Sequence, residues 1–159
     1  MMVKICGITN RDDAMAAVEA GASAIGFNFY RESPRYIAPS GAALIAEKIP
    51  ANVWKVGIFV SEGAESVAKI VLNVGLDVAQ LYGRSEARGI RVWRACRANE
   101  DISSSLKNDA LEALLLDAPA GSPDLIKCSP TRKAWYPAAR RRWRSLAEWM
   151  PLSVTLTTP

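Results

Sequence analysis

The sequence predicts a parallel α/β fold of six βα units followed by a segment of different character, and three observations carry that expectation. Short β-branched or apolar runs alternate with stretches of helical pattern. Most cycles take roughly 20 to 30 residues, enough for the crossover that neighbouring parallel strands need, and the fourth is shorter. The alternation then stops after Pro119. Six such units suit most of a (β/α)8 barrel or an open, doubly wound sheet of six strands.

The first strand is Val3 to Cys6, and Asn10 can cap the helix "RDDAMAAVEAG", with Asp12 and Asp13 in its first turn and Gly21 at its end. "AIGFNF", Ala24 to Phe29, is the second strand. It leads through "YRESPRYIAP" to a helix "GAALIAEKI" capped by Ser40. The third strand is "VWKVGIFV", Val53 to Val60, with Ser61 capping a helix that ends at Gly75. "DVAQLYG" from Asp77 is the fourth strand, and "RSEARG" after it has room for barely one helical turn. "IRVWRACR", Ile90 to Arg97, is the fifth, "NEDISSSLKNDA" its polar crossover, and "ALLLDAP", Ala113 to Pro119, the sixth. Beyond lie one amphipathic helix, around Pro137 to Met150, and one weak strand, "LSVTL". Two further βα units do not fit there, so a barrel reading leaves an incomplete barrel whose first and sixth strands each expose an unpaired edge.

Of the 159 residues 50% are hydrophobic, which is enough for one soluble domain with a real core. No apolar run approaches the roughly 20 residues of a membrane span, and the first dozen residues lack the order of a signal peptide. The expectation is a cytoplasmic protein with no membrane partner. Three widely spaced cysteines (Cys6, Cys96, Cys128) and the absence of histidine exclude a disulfide framework and the usual zinc sites. They also leave acid–base chemistry to carboxylates, thiols, lysines or tyrosines.

Charge divides the chain. Residues 1–123 hold thirteen Lys or Arg against fourteen Asp or Glu, whereas residues 124–159 hold seven against two, together with three of the five tryptophans. The expected organisation is a partial barrel over 1–123 and a divergent basic tail over 124–159, frameshifted or disordered. "RKAWYPAARRRWR" has a composition that could meet phosphates and stack on bases. No recognition motif accompanies it, so nucleic acid is not an expected partner.

Strand C-termini of a parallel α/β fold share one face, where functional groups gather. Two polar residues end strands in this way. Cys6 is by residue type a buried filler, but Gly7 and Thr9 turn the chain at once into a helix whose N-terminal end favours a thiolate. Asp117, after four apolar residues, is either a loop-anchoring cap or a group at the mouth of the fold. Arg35 lies in a loop stiffened by Pro34 and Pro39, which suits a guanidinium gripping a carboxylate or phosphate, although a solvated arginine is the default. Gln80, in "DVAQ", is an uncharged hydrogen-bonding group on the same face. Asn28, Gly26 and Gly57 serve packing or turning.

Taken in order, "KICGIT", "GASAIGFNFY", "ESPRYI", "VGIFV", "VAQLYG" and "LLLDA" resemble the phosphoribosylanthranilate isomerases, from about Val3 to Ala118. The resemblance implies a (β/α)8 TIM barrel in tryptophan biosynthesis that works without cofactor or metal. It implies an Amadori rearrangement of N-(5-phosphoribosyl)anthranilate to 1-(2-carboxyphenylamino)-1-deoxyribulose 5-phosphate. By the same matching, Cys6 is the general base, Asp117 the general acid, Arg35 the binder of the anthranilate carboxylate, and Gln80 a substrate-site neighbour of the acid. Two departures stand out: Tyr82 replaces the family's histidine, and "AGSPDLIKCSP" stands where a glycine-rich phosphate-binding loop is expected. With that grip missing, the expectation is reduced or lost activity; the alternative is a non-catalytic truncated barrel that self-associates through its open strand edges.

Overall fold

Asn10 opens the first helix as its residue type dictates. Its side-chain Oδ1 accepts the Asp13 N–H at 2.8 Å, satisfying one of the donors that a helix start leaves free. In this computed structural model the described residues are 2–83, 85–97, 112–117 and 154–157, with the backbone alone at 97, 116, 117 and 154–157. The elements run β1 (Met2–Cys6), α1 (Arg11–Glu19), β2 (Ala24–Asn28), α2 (Pro39–Ala46), β3 (Trp54–Phe59), α3 (Ala64–Val74), β4 (Val78–Leu81), β5 (Arg91–Arg97), β6 (Ala113–Asp117) and β7 (Val154–Thr157). Replacing Asn10 by alanine is expected to cost about 1 kcal/mol, read as a fall in thermal midpoint with unchanged near-UV dichroism.

Two helix starts differ from the sequence reading. The helix assigned to a Ser40 cap begins earlier, with Ala38 extended at the cap position and Pro39 in the first turn. Proline holds the preceding residue extended and lacks only an N–H that would be unpaired there anyway, so it outcompetes the serine. The helix assigned to Ser61 begins after Gly63. The Glu62 carboxylate explains this, because it accepts the N–H groups of Val60 at 2.7 Å and Ser61 at 3.0 Å and so ties Ser61 into the turn. At the other end Gly75 takes the left-handed conformation expected of it (φ 71°).

The sheet order is β6-β5-β4-β3-β2-β1-β7, and the first six strands are all parallel to their neighbours. They curl into an open half-barrel, which decides against the doubly wound alternative. On the outer face, Ile5, Ile25, Phe27, Phe59, Ala79 and Leu81 form one buried cluster with residues of the three helices, such as Ala14, Ile45 and Val67. Each large side chain buried there contributes about 1.5–3 kcal/mol. Phe29 and Phe59 stack within it, ring centroids 5.3 Å apart. The inner face carries a second cluster, Ala24, Val56, Val78, Trp93, Ala95 and Leu115. Alternation along each strand separates the two sets.

The edges are a further correction. β1 is not open: β7 pairs with it antiparallel, Met2 opposite Thr157 through Ile5 opposite Val154. The weak "LSVTL" run thus satisfies the polar groups that an edge strand otherwise leaves exposed. Among the described residues β6 pairs only with β5. The short fourth crossover has no helix over 85–89; Arg94 holds it instead, donating to the carbonyls of Gly83 at 3.1 Å and Ser85 at 3.2 Å. The fifth crossover, Cys128, the Pro137 to Met150 helix and the basic stretch before β7 lie outside the described residues. No helix among those described is long and apolar enough to cross a membrane.

Candidate active site

The C-terminal ends of the parallel strands meet at one rim of the half-barrel, and the candidate residues are distributed along it. Cys6 ends β1, half-buried, opposite Gly26 of β2. A Cβ on Gly26 would lie 3.0 Å from the Cys6 sulfur, so the glycine makes room for the thiol. The chain then turns sharply: the N–H groups of Gly7 and Ile8 both donate to the Gly26 carbonyl, at 2.9 and 3.1 Å, and Gly7 takes a φ of 83°. A residue with a side chain rarely adopts that backbone.

Arg35 reaches this turn from the loop after β2. Asn28 organises the loop: its Nδ2 donates to Ser33 Oγ at 3.0 Å, its Oδ1 accepts the Tyr30 N–H at 3.0 Å, and its carbonyl accepts the Ile37 N–H at 3.0 Å. Ser33 Oγ in turn accepts the Arg35 N–H at 3.2 Å. The arginine side chain then lies across Gly7 and its Nη1 donates to the Cys6 carbonyl at 3.4 Å. A Cβ on Gly7 would stand 2.7 Å from Arg35 Cδ and 3.0 Å from its Nε, so the bare glycine is the seat of the guanidinium stem. Gly7→Ala is therefore expected to cost about 1–3 kcal/mol in urea unfolding and to move Arg35 off Cys6. Nearby, the Glu32 carboxylate accepts the Tyr30 hydroxyl proton and, with the adjoining negative charge, holds that phenol above its ordinary range.

Gln80, in β4, is buried at 3% exposure and its Nε2 donates to Tyr82 Oη at 3.0 Å. Its Oε1 accepts from the Nζ of Lys4, which sits on β1 two residues before Cys6, on the same strand face. Lys4 is 2% exposed, and its ammonium lies 6.0 Å from the centroid of the Trp93 ring. Sequence reasoning passed over this lysine. The available signal was a lone charged residue inside an apolar strand at i−2 from the cysteine.

Cys6, Arg35 and Gln80 are thus placed along one rim, the first two in direct contact. The backbone of Asp117 ends β6 at that same rim, opposite Arg97; its side chain is outside the described residues. Cys96 is buried within β5. Among the described residues no three His, Cys, Asp or Glu side chains converge as metal ligands would.

The family model described as N-(5'-phosphoribosyl)anthranilate (PRA) isomerase matches residues 3–123. The N-(5'-phosphoribosyl)anthranilate isomerase of Solibacter usitatus is 44% identical over 126 residues, which cover 76% of this chain and 61% of that protein. The crystal structure of phosphoribosyl anthranilate isomerase from Thermotoga maritima has a TM-score of 0.67 at 36% identity, covering 74% of this chain and 62% of that one. A phosphoribosyl anthranilate isomerase in complex with reduced 1-(o-carboxyphenylamino)-1-deoxyribulose 5-phosphate has a TM-score of 0.67 at 37% identity, covering 77% and 68%. The chain spans about 61% of the length of the Solibacter relative and 40% of another, from Thermotoga neapolitana. With a family match over residues 3–123, three-quarters of the chain, and a fold similar to solved members at 36% and 37% identity, the chain belongs to the N-(5'-phosphoribosyl)anthranilate isomerase family.

Proposed function

We propose that the chain carries the acid–base half of a phosphoribosylanthranilate isomerase site and, lacking the glycine-rich phosphate-binding loop after "LLLDA", performs the Amadori rearrangement of N-(5'-phosphoribosyl)anthranilate in a cytoplasmic tryptophan pathway at a reduced rate. The observation that carries this reading is the contact of Arg35 with the Cys6 turn at the rim where β6 also ends. In the reaction Asp117 gives a proton to the furanose ring oxygen. The C1–O bond breaks as the nitrogen lone pair forms the imine. Cys6 then takes the C2 proton, its electrons form the C1–C2 double bond of the enol amine, and tautomerisation leaves the 2-ketone. The acid and the base act on different atoms, so two groups at separate strand ends suit the chemistry. Arg35 supplies a planar fork for the anthranilate carboxylate, and its placement beside Cys6 holds the sugar where the base can reach it.

No cofactor enters this sequence of steps. The direct test is loss of anthranilate fluorescence when purified protein meets the substrate: turnover above the buffer rate supports the reading, and a wild-type rate equal to buffer overturns it.

The one-sided pairing of β6 among the described residues favours a second reading, a non-catalytic chain that self-associates through that edge. A concentration-dependent sedimentation coefficient at micromolar protein supports it, and a single monomer species opposes it.

A further inference from the structure

Asn28 ends β2, the strand beside β1, and it is tied to the start, the middle and the end of the loop that carries Arg35. Its Oδ1 accepts the Tyr30 N–H and its carbonyl accepts the Ile37 N–H, each at 3.0 Å, so the loop leaves and returns at one residue. Its Nδ2 donates to Ser33 Oγ, which also accepts the Arg35 N–H. A hydroxyl oxygen has two lone pairs, and these two donors engage both. A carboxamide supplies the acceptor and the donor together, which no apolar side chain or ionised carboxylate of that size does.

We infer that Asn28 is a positioning residue of the site: acting through Ser33, it sets the Arg35 side chain across Gly7 and against the Cys6 carbonyl, so that the end of β2 fixes the guanidinium beside the base before any substrate arrives. This rests on the proposed isomerase reading for the roles of Arg35 and Cys6, and goes beyond it by giving roles to Asn28 and Ser33. The last link is close: a Cβ on Gly7 would stand 2.7 Å from Arg35 Cδ, and Arg35 Nη1 lies 3.4 Å from the Cys6 oxygen. A loop without its brace samples many conformations, and these carry the arginine stem off the glycine. A guanidinium held in advance takes a carboxylate without first ordering its loop.

Two measurements on the full chain test this. The first needs no ligand: in NMR of labelled protein the Gly7 Hα protons give a strong cross-peak to the Arg35 Hδ protons, as their contact requires. Asn28→Leu, which keeps the shape and removes both side-chain bonds, is expected to lose that peak. So is Ser33→Ala, whereas Ser33→Thr keeps the hydroxyl and with it the peak. A peak that survives in Asn28→Leu, or one that Ser33→Thr loses as fully as Ser33→Ala, overturns the proposal. Ser33→Ala covers the case in which Asn28→Leu fails to fold, because it leaves the bonds to Tyr30 and Ile37 in place; a peak surviving there overturns the proposal equally. The second measurement is kcat/KM for N-(5'-phosphoribosyl)anthranilate. Asn28→Leu is expected to lower it about tenfold, the scale of one hydrogen bond, Arg35→Met by more, and the double variant no further than Arg35→Met alone. Losses that multiply mean that Asn28 does not act through Arg35, and overturn the proposal. A wild type without turnover defeats the isomerase reading itself, and the cross-peak then decides the positioning role of Asn28 by itself.

Discussion

On the proposed isomerase reading, replacing Cys6 by alanine is expected to lower the turnover of N-(5'-phosphoribosyl)anthranilate by about 10²- to 10⁴-fold, the usual contribution of a positioned acid or base. The reason is local. The thiol is the group at the end of β1 facing the space that Gly26 leaves open, and the chain has no histidine to take over its proton. Alanine is smaller than cysteine, so the change forces nothing against Gly26 and the fold is expected to stay within about 1 kcal/mol of wild type. Cys96→Ala, buried in β5, serves as the control and keeps its rate. Asp117→Asn is expected to fall by the same factor, since an amide cannot protonate the ring oxygen. Equal rates for wild type and Cys6→Ala in a stopped fluorescence assay would remove the thiol from the mechanism.

The second large effect concerns stability. Gln80→Leu leaves the Lys4 ammonium without its carboxamide, buried at 2% exposure and facing an aromatic ring whose centroid is 6.0 Å off. A charge deprived of its partner inside a protein costs about 3 kcal/mol. That is more than a hundredfold in the ratio of folded to unfolded chains. Lys4→Met removes the charge while keeping an unbranched chain of similar length, so the double variant Lys4→Met with Gln80→Leu is expected to recover most of the loss. Urea unfolding at neutral pH measures all three. A single Gln80→Leu variant within 0.5 kcal/mol of wild type, a scale typical of surface substitutions, would mean that the lysine is not held as a buried charge.

How far the sequence led can be argued from particular residues. Strands were legible because each is a short apolar run closed by a turn residue, and all six expected strands are present within a residue or two of their expected bounds. The positions of Cys6, Arg35 and Gln80, though not their roles, were legible because strand ends and a proline-stiffened loop have position written into them. Lys4 was not. Its partner is 76 residues away in sequence, and nothing local says that two parallel strands will bring them together. The same limit explains the helix starts. Ser40 and Ser61 have the right side chains for caps, but Pro39 and Glu62 decided where the turns closed. Asn28, expected to serve packing or turning, is through its three hydrogen bonds the brace of the Arg35 loop.

The antiparallel β7 has a kinetic meaning. Closing a parallel sheet into a barrel requires a parallel strand on the outer side of β1, and that site is already filled over four residues, Met2 to Ile5. Any incoming strand, from whatever chain, is therefore a competitor and not a first arrival. It must wait for β7 to lift and then hold β1 against its return. The exchange consequently responds to the concentration of the competitor by mass action, with β7 setting a threshold that an empty edge would not have.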